Sequence, residues 1–273
     1  MKRSLLPIVI LIIVLVFLYL PIVVLSLNSF NASRFSGTWD GFTLKWYSTL
    51  MQDRTIWQAL VNSLIIATFA TIGSCIIGTT AALALNRWQT RLQTLHNALI
   101  YTPLVVPEIL MGMSLLLLFT ALKIDCGRHT ILLAHITFCV SFVAMTVLAR
   151  LQDFDTSLIE AGRDLGATAF QAFIKIQLPL LMPGIIAGGL LAFTLSVDDF
   201  VITFFVSGPG STTLPLRVYS MIKHSRQMPV INALSTLLLA VTFLAVIASR
   251  LLQIKRVSRS HPFISTTIGG TNK

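Results

Sequence analysis

Between Ser157 and Pro179 the chain reads SLIEAGRDLGATAFQAFIKIQLP, a stretch that decides how the rest is read. Ser157-Leu158-Ile159-Glu160 fits an S-x-x-E capping box and predicts a helix start. Gly166 predicts its end after about two turns, as a glycine in the left-handed position just past a helix. Thr168-Ala169-Phe170-Gln171 fits a second capping box, and Leu178-Pro179 predicts the stop of that second helix. The stretch therefore reads as a helix–turn–helix hairpin. Leu158, Ile159, Leu165, Phe170, Phe173 and Ile174 are apolar for a loop, and Ala161 and Gly162 are small enough to let another surface come close. Such a hairpin either meets a partner or packs on the chain's own spans, and patterning alone leaves both open.

Outward from the hairpin the chain turns apolar on both sides. It is 55% hydrophobic and only 11% charged, against about 25% charged for a soluble domain, so lipid must cover much of it. A span needs roughly 20 mostly apolar residues to cross the bilayer. Candidates lie near 5–27, 60–85, 98–122, 130–149, 184–206 and 230–251, with the hairpin in a loop at 152–183. The expected fold is all-α and integral to the membrane. It has six transmembrane helices in a single transmembrane domain at 1–256, followed by a disordered, Ser/Thr-rich cytoplasmic tail at 257–273. Lys2 and Arg3 precede an apolar run too long for a cleaved signal, and no A-x-A site follows, so the first span is expected to be retained.

The basic residues set the orientation. One side carries twelve of the 20 Lys and Arg, including Arg87, Arg91, Arg150, Arg163, Lys175 and Arg250, and the other carries eight, including Arg34, Lys45, Arg128 and Arg217. The positive-inside rule then puts both termini and the hairpin in the cytoplasm. The formal charge of +10 is dispersed between apolar stretches, which argues against nucleic acid as a partner. Cys75, Cys126 and Cys139 are odd in number and form no C-x-x-C, so a disulfide framework or zinc site is not expected.

The chain lacks G-x-x-x-x-G-K-[ST], so it cannot cradle ATP phosphates, and it lacks H-E-x-x-H and G-x-S-x-G. It reads as no enzyme, with no catalytic residues, metal site or cofactor of its own. Three acids lie inside spans: Glu108, roughly 15 Å from the cytoplasmic end of its helix, and Asp198 with Asp199, roughly 21 Å deep, at 1.5 Å per residue. Acids at such depth should face the bundle interior or a water-filled path. They either meet a cationic substrate, or are held protonated or paired within the protein. Asp198 and Asp199 are about 100° apart on a continuous helix, so one is expected to face the path and the other to bond in the bundle. Pro103 and Pro107 mark either a hinge with freed carbonyls or a simple kink. His135 reads as a packed helix residue rather than a titrating one.

The hairpin carries a resemblance. Glu160-Ala161-Gly162, then Gly166, then Ile176 and Leu178-Pro179 have the spacing of the "EAA" loop of ABC-importer permeases, with Gly162 in place of the second alanine. Leu195-Ser196-Val197-Asp198-Asp199-Phe200, Phe205-Val206-Ser207-Gly208-Pro209-Gly210, Leu214-Pro215 with Tyr219-Ser220, Asn28-Ser29-Phe30-Asn31, Gly41-Phe42-Thr43 with Trp46-Tyr47, and Ala134-His135-Ile136-Thr137-Phe138-Cys139 resemble the spermidine/putrescine permease subgroup, over roughly 18–250. The resemblance implies a type I ABC-importer permease of the bacterial inner membrane that works by alternating access. It implies a heterodimer with a second permease, two ATP-binding subunits that hold the ATP, and a periplasmic or extracellular substrate-binding protein. It implies that Glu160, Ala161, Gly162, Gly166, Ile176, Leu178 and Pro179 couple to the ATPase, and Glu108, Asp198 and Asp199 are the candidate pathway residues. The alternatives are an importer permease for ferric iron or a phosphonate, or a non-conducting structural membrane subunit.

Overall fold

The computed structural model describes residues 6–34, 38–87, 92–225 and 228–259. Lys2, Arg3, Arg91 and Arg226 of the charge count, and residues 260–273 of the expected tail, lie outside the described residues. The described chain is helical, and its one β-bridge pairs Asn31 with Phe42. It falls into two compact units, one formed by the segments up to Asp53 and from Met221 onward, the other by Arg54–Ser220.

The first unit holds α1 (Leu6–Asn28), α2 (Lys45–Gln52) and α12 (Met228–Arg259). No residue of α1 is buried, as suits a helix whose solvent is lipid. After it the chain is knotted by side chains. Asn31 donates to Thr38 O (2.7 Å) and accepts from the amides of Ser33 (3.1 Å) and Asp40 (3.0 Å), while Trp46 Nε1 donates to Asn31 O (2.7 Å). Helix α12 runs to Arg259, so 257–259, expected in the tail, are helical.

The second unit is built on α3 (Arg54–Arg87), α6 (Arg128–Gln152) and α9 (Leu178–Asp198), which pack against one another. Lipid chains are as apolar as leucine, so helices in a membrane associate by close backbone approach rather than by burying large side chains. The residues follow that rule. Ala67, Ala70, Ala82, Ala134, Ala144 and Ala192 are buried, while Ile65, Phe69, Ile72, Ile76, Leu190 and Leu191 are exposed. A Cβ on Gly78 would lie 2.9 Å from Val143 Cβ, and one on Gly189 would lie 2.9 Å from Cys75 Sγ. Outside these helices the loop after Val206 is tied down: Thr130 Oγ1 donates to Val206 O (2.8 Å), Asn62 Nδ2 to Thr212 O (3.0 Å), and Leu214 N to Ser63 Oγ (2.8 Å).

Among the described residues four helices are long and apolar enough to cross a membrane, or five when one bent pair counts as a span. That pair corrects the expected continuous span at 98–122. It is two helices, α4 (Gln93–Val105) and α5 (Glu108–Ala121), bent by 109°. The expected span at 184–206 is likewise interrupted: α9 ends at Asp198, and a short helix, α10 (Val201–Val206), follows. A further short helix, α11 (Leu214–Ser220), lies in the loop beyond, where no helix was expected.

The hairpin is present, with two corrections. Helix α7 covers Ser157–Asp164, but no side-chain capping bond comes from Ser157 or Thr156. Asp155 Oδ1 instead accepts from Ser157 N (2.9 Å), the i to i+2 Asx-turn bond by which an aspartate satisfies an orphan amide of the first turn. Hydrogen bonding from the Ser157 side chain, and then from its amide, holds the Asp155 carboxyl below its ordinary range. The exit is as expected. Gly166 has φ +88°, Gly166 N donates to Arg163 O (2.9 Å) and Ala167 N to Gly162 O (3.1 Å), a Schellman pair. The Thr168–Gln171 box also forms, starting α8 (Ala169–Ala172). Leu178-Pro179 does not stop that helix. A π turn at Phe173–Gln177 joins α8 to α9, giving 30 residues from Ala169 to Asp198. In the wider turn Leu178 N bonds to Phe173 O, and Pro179 enters at the first positions of α9. An amide-less residue is tolerated there.

Candidate functional site: carboxylates at two helix breaks

At the first break Pro107 acts on the residue before it. Val106 takes φ −70°, ψ 129°, the extended region that a following proline imposes. Pro107 then precedes α5, so Glu108 is the first residue of that helix and is exposed. At the second break there is neither glycine nor proline. Asp199 is extended (φ −60°, ψ 122°), and its carboxylate turns back onto the next helix. Oδ2 accepts from Thr203 N (2.8 Å) and Thr203 Oγ1 (2.7 Å), and Oδ1 from Ile202 N (3.3 Å). Asp199 thus fills the capping role for α10.

The breaks are neighbours. Helix α5 packs along α10 so closely that a Cβ on Gly112 would lie 2.8 Å from Phe205 Cδ2 and 3.3 Å from Ile202 Cα. Glu108 is within Coulombic reach of Asp199 and Asp198. The aspartates divide as a pair: Asp199 is buried at 8% exposure, and Asp198 is exposed. They differ in direction because the helix ends between them, not because of a 100° step along it.

Four residues of this region were not singled out as a site by sequence reasoning. His135 on α6 is buried, with Nδ1 2.7 Å from Ser196 Oγ, and Nε2 3.1 Å from Asp199 Oδ2 and 3.0 Å from Thr203 Oγ1. The ring is a packed helix residue, as expected, but also the hub of a polar cluster. No sequence spacing could have revealed it, since its partners lie 61 to 68 residues away. An aromatic group flanks the second break. Phe200 lies 4.9 Å from the Tyr219 ring and 5.7 Å from Phe204, and Phe204 and Tyr219 are exposed. The i,i+4 spacing of Phe200 and Phe204 was the one signal for it.

The hairpin residues sort differently. Glu160 and Ala161 are exposed. Gly162 is covered by Ile176, whose Cδ1 occupies the space a Cβ would need. The small residue therefore serves closure of the hairpin on itself. Leu165 is 90% exposed and Phe170 73%, and Leu158 and Ile174 are also bare. Gly162, Ile176 and Leu178 thus shape the hairpin, while Glu160, Ala161, Leu165 and Phe170 form its outer face.

Comparison with known proteins identifies the family. Residues 74–259 match the family described as the binding-protein-dependent transport system inner membrane component. The chain is 45% identical over 236 residues to the spermidine/putrescine transport system permease protein PotC of Escherichia coli (strain K12), covering 86% of this chain and 89% of that protein. It is 46% identical over 244 residues to the putrescine transport system permease protein PotI of the same organism, covering 87% and 86%. A bacterial ABC transporter involved in the import of the acidic polysaccharide alginate shares the fold, with a TM-score of 0.69 at 16% identity over 92% of this chain and 95% of that one. The chain is therefore a transport component rather than an enzyme, and it belongs to the binding-protein-dependent transport system inner membrane component family.

Proposed function

We propose that this chain is the transmembrane permease subunit of an ATP-driven importer of polyamines, spermidine and putrescine among them. The observation that carries the reading is the pair of exposed carboxylates, Glu108 and Asp198, presented at adjacent helix breaks beside Phe200, Phe204 and Tyr219. A polyamine is two or more ammonium groups joined by methylenes. Separated acids match the ammonium groups, and aromatic faces match the methylenes and the cations alike. The likeness to permeases named for these substrates supports the assignment.

In this reading α4 with α5, and α9 with α10, each make one interrupted span, and α12 supplies the sixth. The permease domain covers 1–256, with residues to 273 as its cytoplasmic tail. Both termini and the hairpin lie in the cytoplasm of a cell with this inner-membrane system. Glu160 and the bare apolar side chains around it dock on one of two ATP-binding subunits, which hold the nucleotide, so this chain needs no cofactor. A second permease completes the pathway, and a periplasmic or extracellular binding protein delivers substrate. ATP-driven closure of the subunits below moves the hairpin. Because α8 continues into α9 through the π turn, that movement passes along one rod to the Asp198 break. Interrupted helices at a midplane site are a recurring way for transporters to bind an ion and then move.

The test is uptake. The chain is expressed with its ATPase, second permease and binding protein in cells lacking polyamine import, and labelled spermidine and putrescine are offered. Accumulation that needs both this chain and ATP supports the reading. Uptake of ferric iron or a phosphonate in their place would overturn it.

A further inference from the structure

His135 is buried at 1% exposure, and both its nitrogens are engaged across the α9–α10 break. Ser196, in the last turn of α9, meets Nδ1, and Asp199 and Thr203 meet Nε2. The protons can be placed from the network. Thr203 spends its hydroxyl proton on Asp199 Oδ2, so towards the ring it offers only a lone pair. Asp199 Oδ2 is an acceptor for the Thr203 amide as well. Nε2 therefore faces two acceptors and must carry a proton, while Nδ1 is paired with the Ser196 hydroxyl.

We propose that His135 is a positioning residue of the carboxylate site: it commits Asp199 to the interior and thereby presents Asp198 beside Glu108. The proposal rests on the transport reading only for its uptake measurement. Its logic is local. A carboxylate buried without a donor is unfavourable, so Asp199 stays inward only while the ring and Thr203 hold it. Nothing else in the Leu195–Phe200 sequence forbids helix. If Asp199 is released, α9 can wind on through the break. Asp198 then becomes one residue of a continuous helix and turns away from its present direction. Ser196 and Thr203, tied to the same imidazole from opposite sides of the break, fix the spacing of the two helix ends. The ring touches no substrate in this arrangement and acts through Asp199.

The experiment uses the assembled complex in membranes, with His135→Leu and His135→Gln. Gln keeps a donor for Asp199, and Leu keeps only bulk. Two quantities are read per assembled complex: the KM for spermidine uptake, and the thiol-labelling rate of Asp198→Cys with Cys75, Cys126 and Cys139 replaced by alanine. For Leu, KM rises and the labelling rate changes, each by about tenfold, the scale of one lost buried contact to a charge. Gln brings both back to within about twofold, the scale of a few tenths of a kcal/mol. An unchanged KM and labelling rate in assembled His135→Leu would overturn the proposal, as would Gln behaving like Leu. Where Leu alone does not assemble, His135→Leu with Asp199→Leu removes both buried partners and restores packing. A purely structural pair then returns normal values, whereas a positioning pair still shows the altered labelling. If the complex carries no polyamine at all, the transport reading fails, and the labelling rate by itself decides the role of His135.

Discussion

The two helix breaks lie side by side but are made by different means. At Val106–Pro107 the cause is covalent and local. A proline disfavours helical backbone at the residue before it and removes one amide, and the chain turns by 109°. At Asp198–Phe200 the cause is a tertiary contact. The Asp199 carboxylate caps α10, and an imidazole 64 residues away along the chain holds it. The first break is fixed by sequence and survives changes in its surroundings. The second is conditional, and it is the one joined to the hairpin by a continuous rod. A transporter that must move a binding group needs one fixed wall and one adjustable wall, and under the proposed polyamine reading these two breaks take those parts.

The sharpest way to break the comparison is to neutralise each carboxylate without changing its shape. Glu108→Gln and Asp198→Asn are expected to lower polyamine uptake by about tenfold or more, the scale of a contact to a charge, with normal recovery of the assembled complex. Asp199→Asn is expected to act by another route. It replaces an acceptor facing four donors with a group that must aim two N–H bonds into the same space, at about 1–3 kcal/mol. Complex recovered from membranes should therefore fall along with uptake. Equal recovery for Asp198→Asn and Asp199→Asn would erase the distinction between the two aspartates. Wild-type uptake in all three would make the acids structural.

The same division between local and tertiary causes explains what the sequence disclosed. The Gly166 exit and the Thr168–Gln171 box involve residues within a turn or two of each other, so their chemistry is written in adjacent letters. The apolar runs were legible for the same reason. The break at 106–107 was half legible: Pro103 and Pro107 were noticed, but a proline inside an apolar run signals a kink without its size. The break at 199 was not legible, because Leu195–Phe200 contains nothing that excludes helix and its anchor sits on α6. Glu108, Asp198 and Asp199 stood out as acids in apolar surroundings. The sequence did not say which aspartate turned inward, because that depends on where His135 lies in space.

Next in size come changes to the helix exit and face of the hairpin, where the cause is local. Gly166→Val forces a β-branched residue to φ near +88°, at about 1–2 kcal/mol. Uptake coupled to ATP is expected to fall while the isolated spans still insert. Glu160→Lys leaves the backbone alone and reverses an exposed charge, so co-purification with the ATPase should drop instead. Normal ATP-coupled uptake in both would remove the hairpin from the transmission path. Pro107→Ala is expected to be milder, a severalfold loss of uptake, because Gly112 against Phe205 and Ile202 still holds α5 in place. A loss as deep as that of Asp198→Asn would show that the first break rests on the proline alone, and wild-type uptake would show that packing, not the proline, makes it.

The smallest effect is expected at the entrance of the hairpin, where Asp155 accepts from Ser157 N. Hydrogen bonding from the Ser157 side chain, together with this amide bond, holds the Asp155 carboxyl below its ordinary range, which fixes the sign of the pH dependence. A group whose folded pKa is depressed contributes stability above its unfolded pKa and loses it as the pH falls through the folded value. The first turn of α7 should therefore be protected at neutral pH and fray only under acid. Hydrogen exchange at the Ser157 amide reads this directly. Asp155→Ala should exchange severalfold faster at neutral pH, since alanine is a poor cap. Asp155→Asn should keep most of the protection, because its amide oxygen still accepts, and should keep it into acid, because that oxygen does not titrate. Acid-sensitive exchange that persists in Asp155→Asn would assign the titration to another group and leave Asp155 as a cap without a charge role.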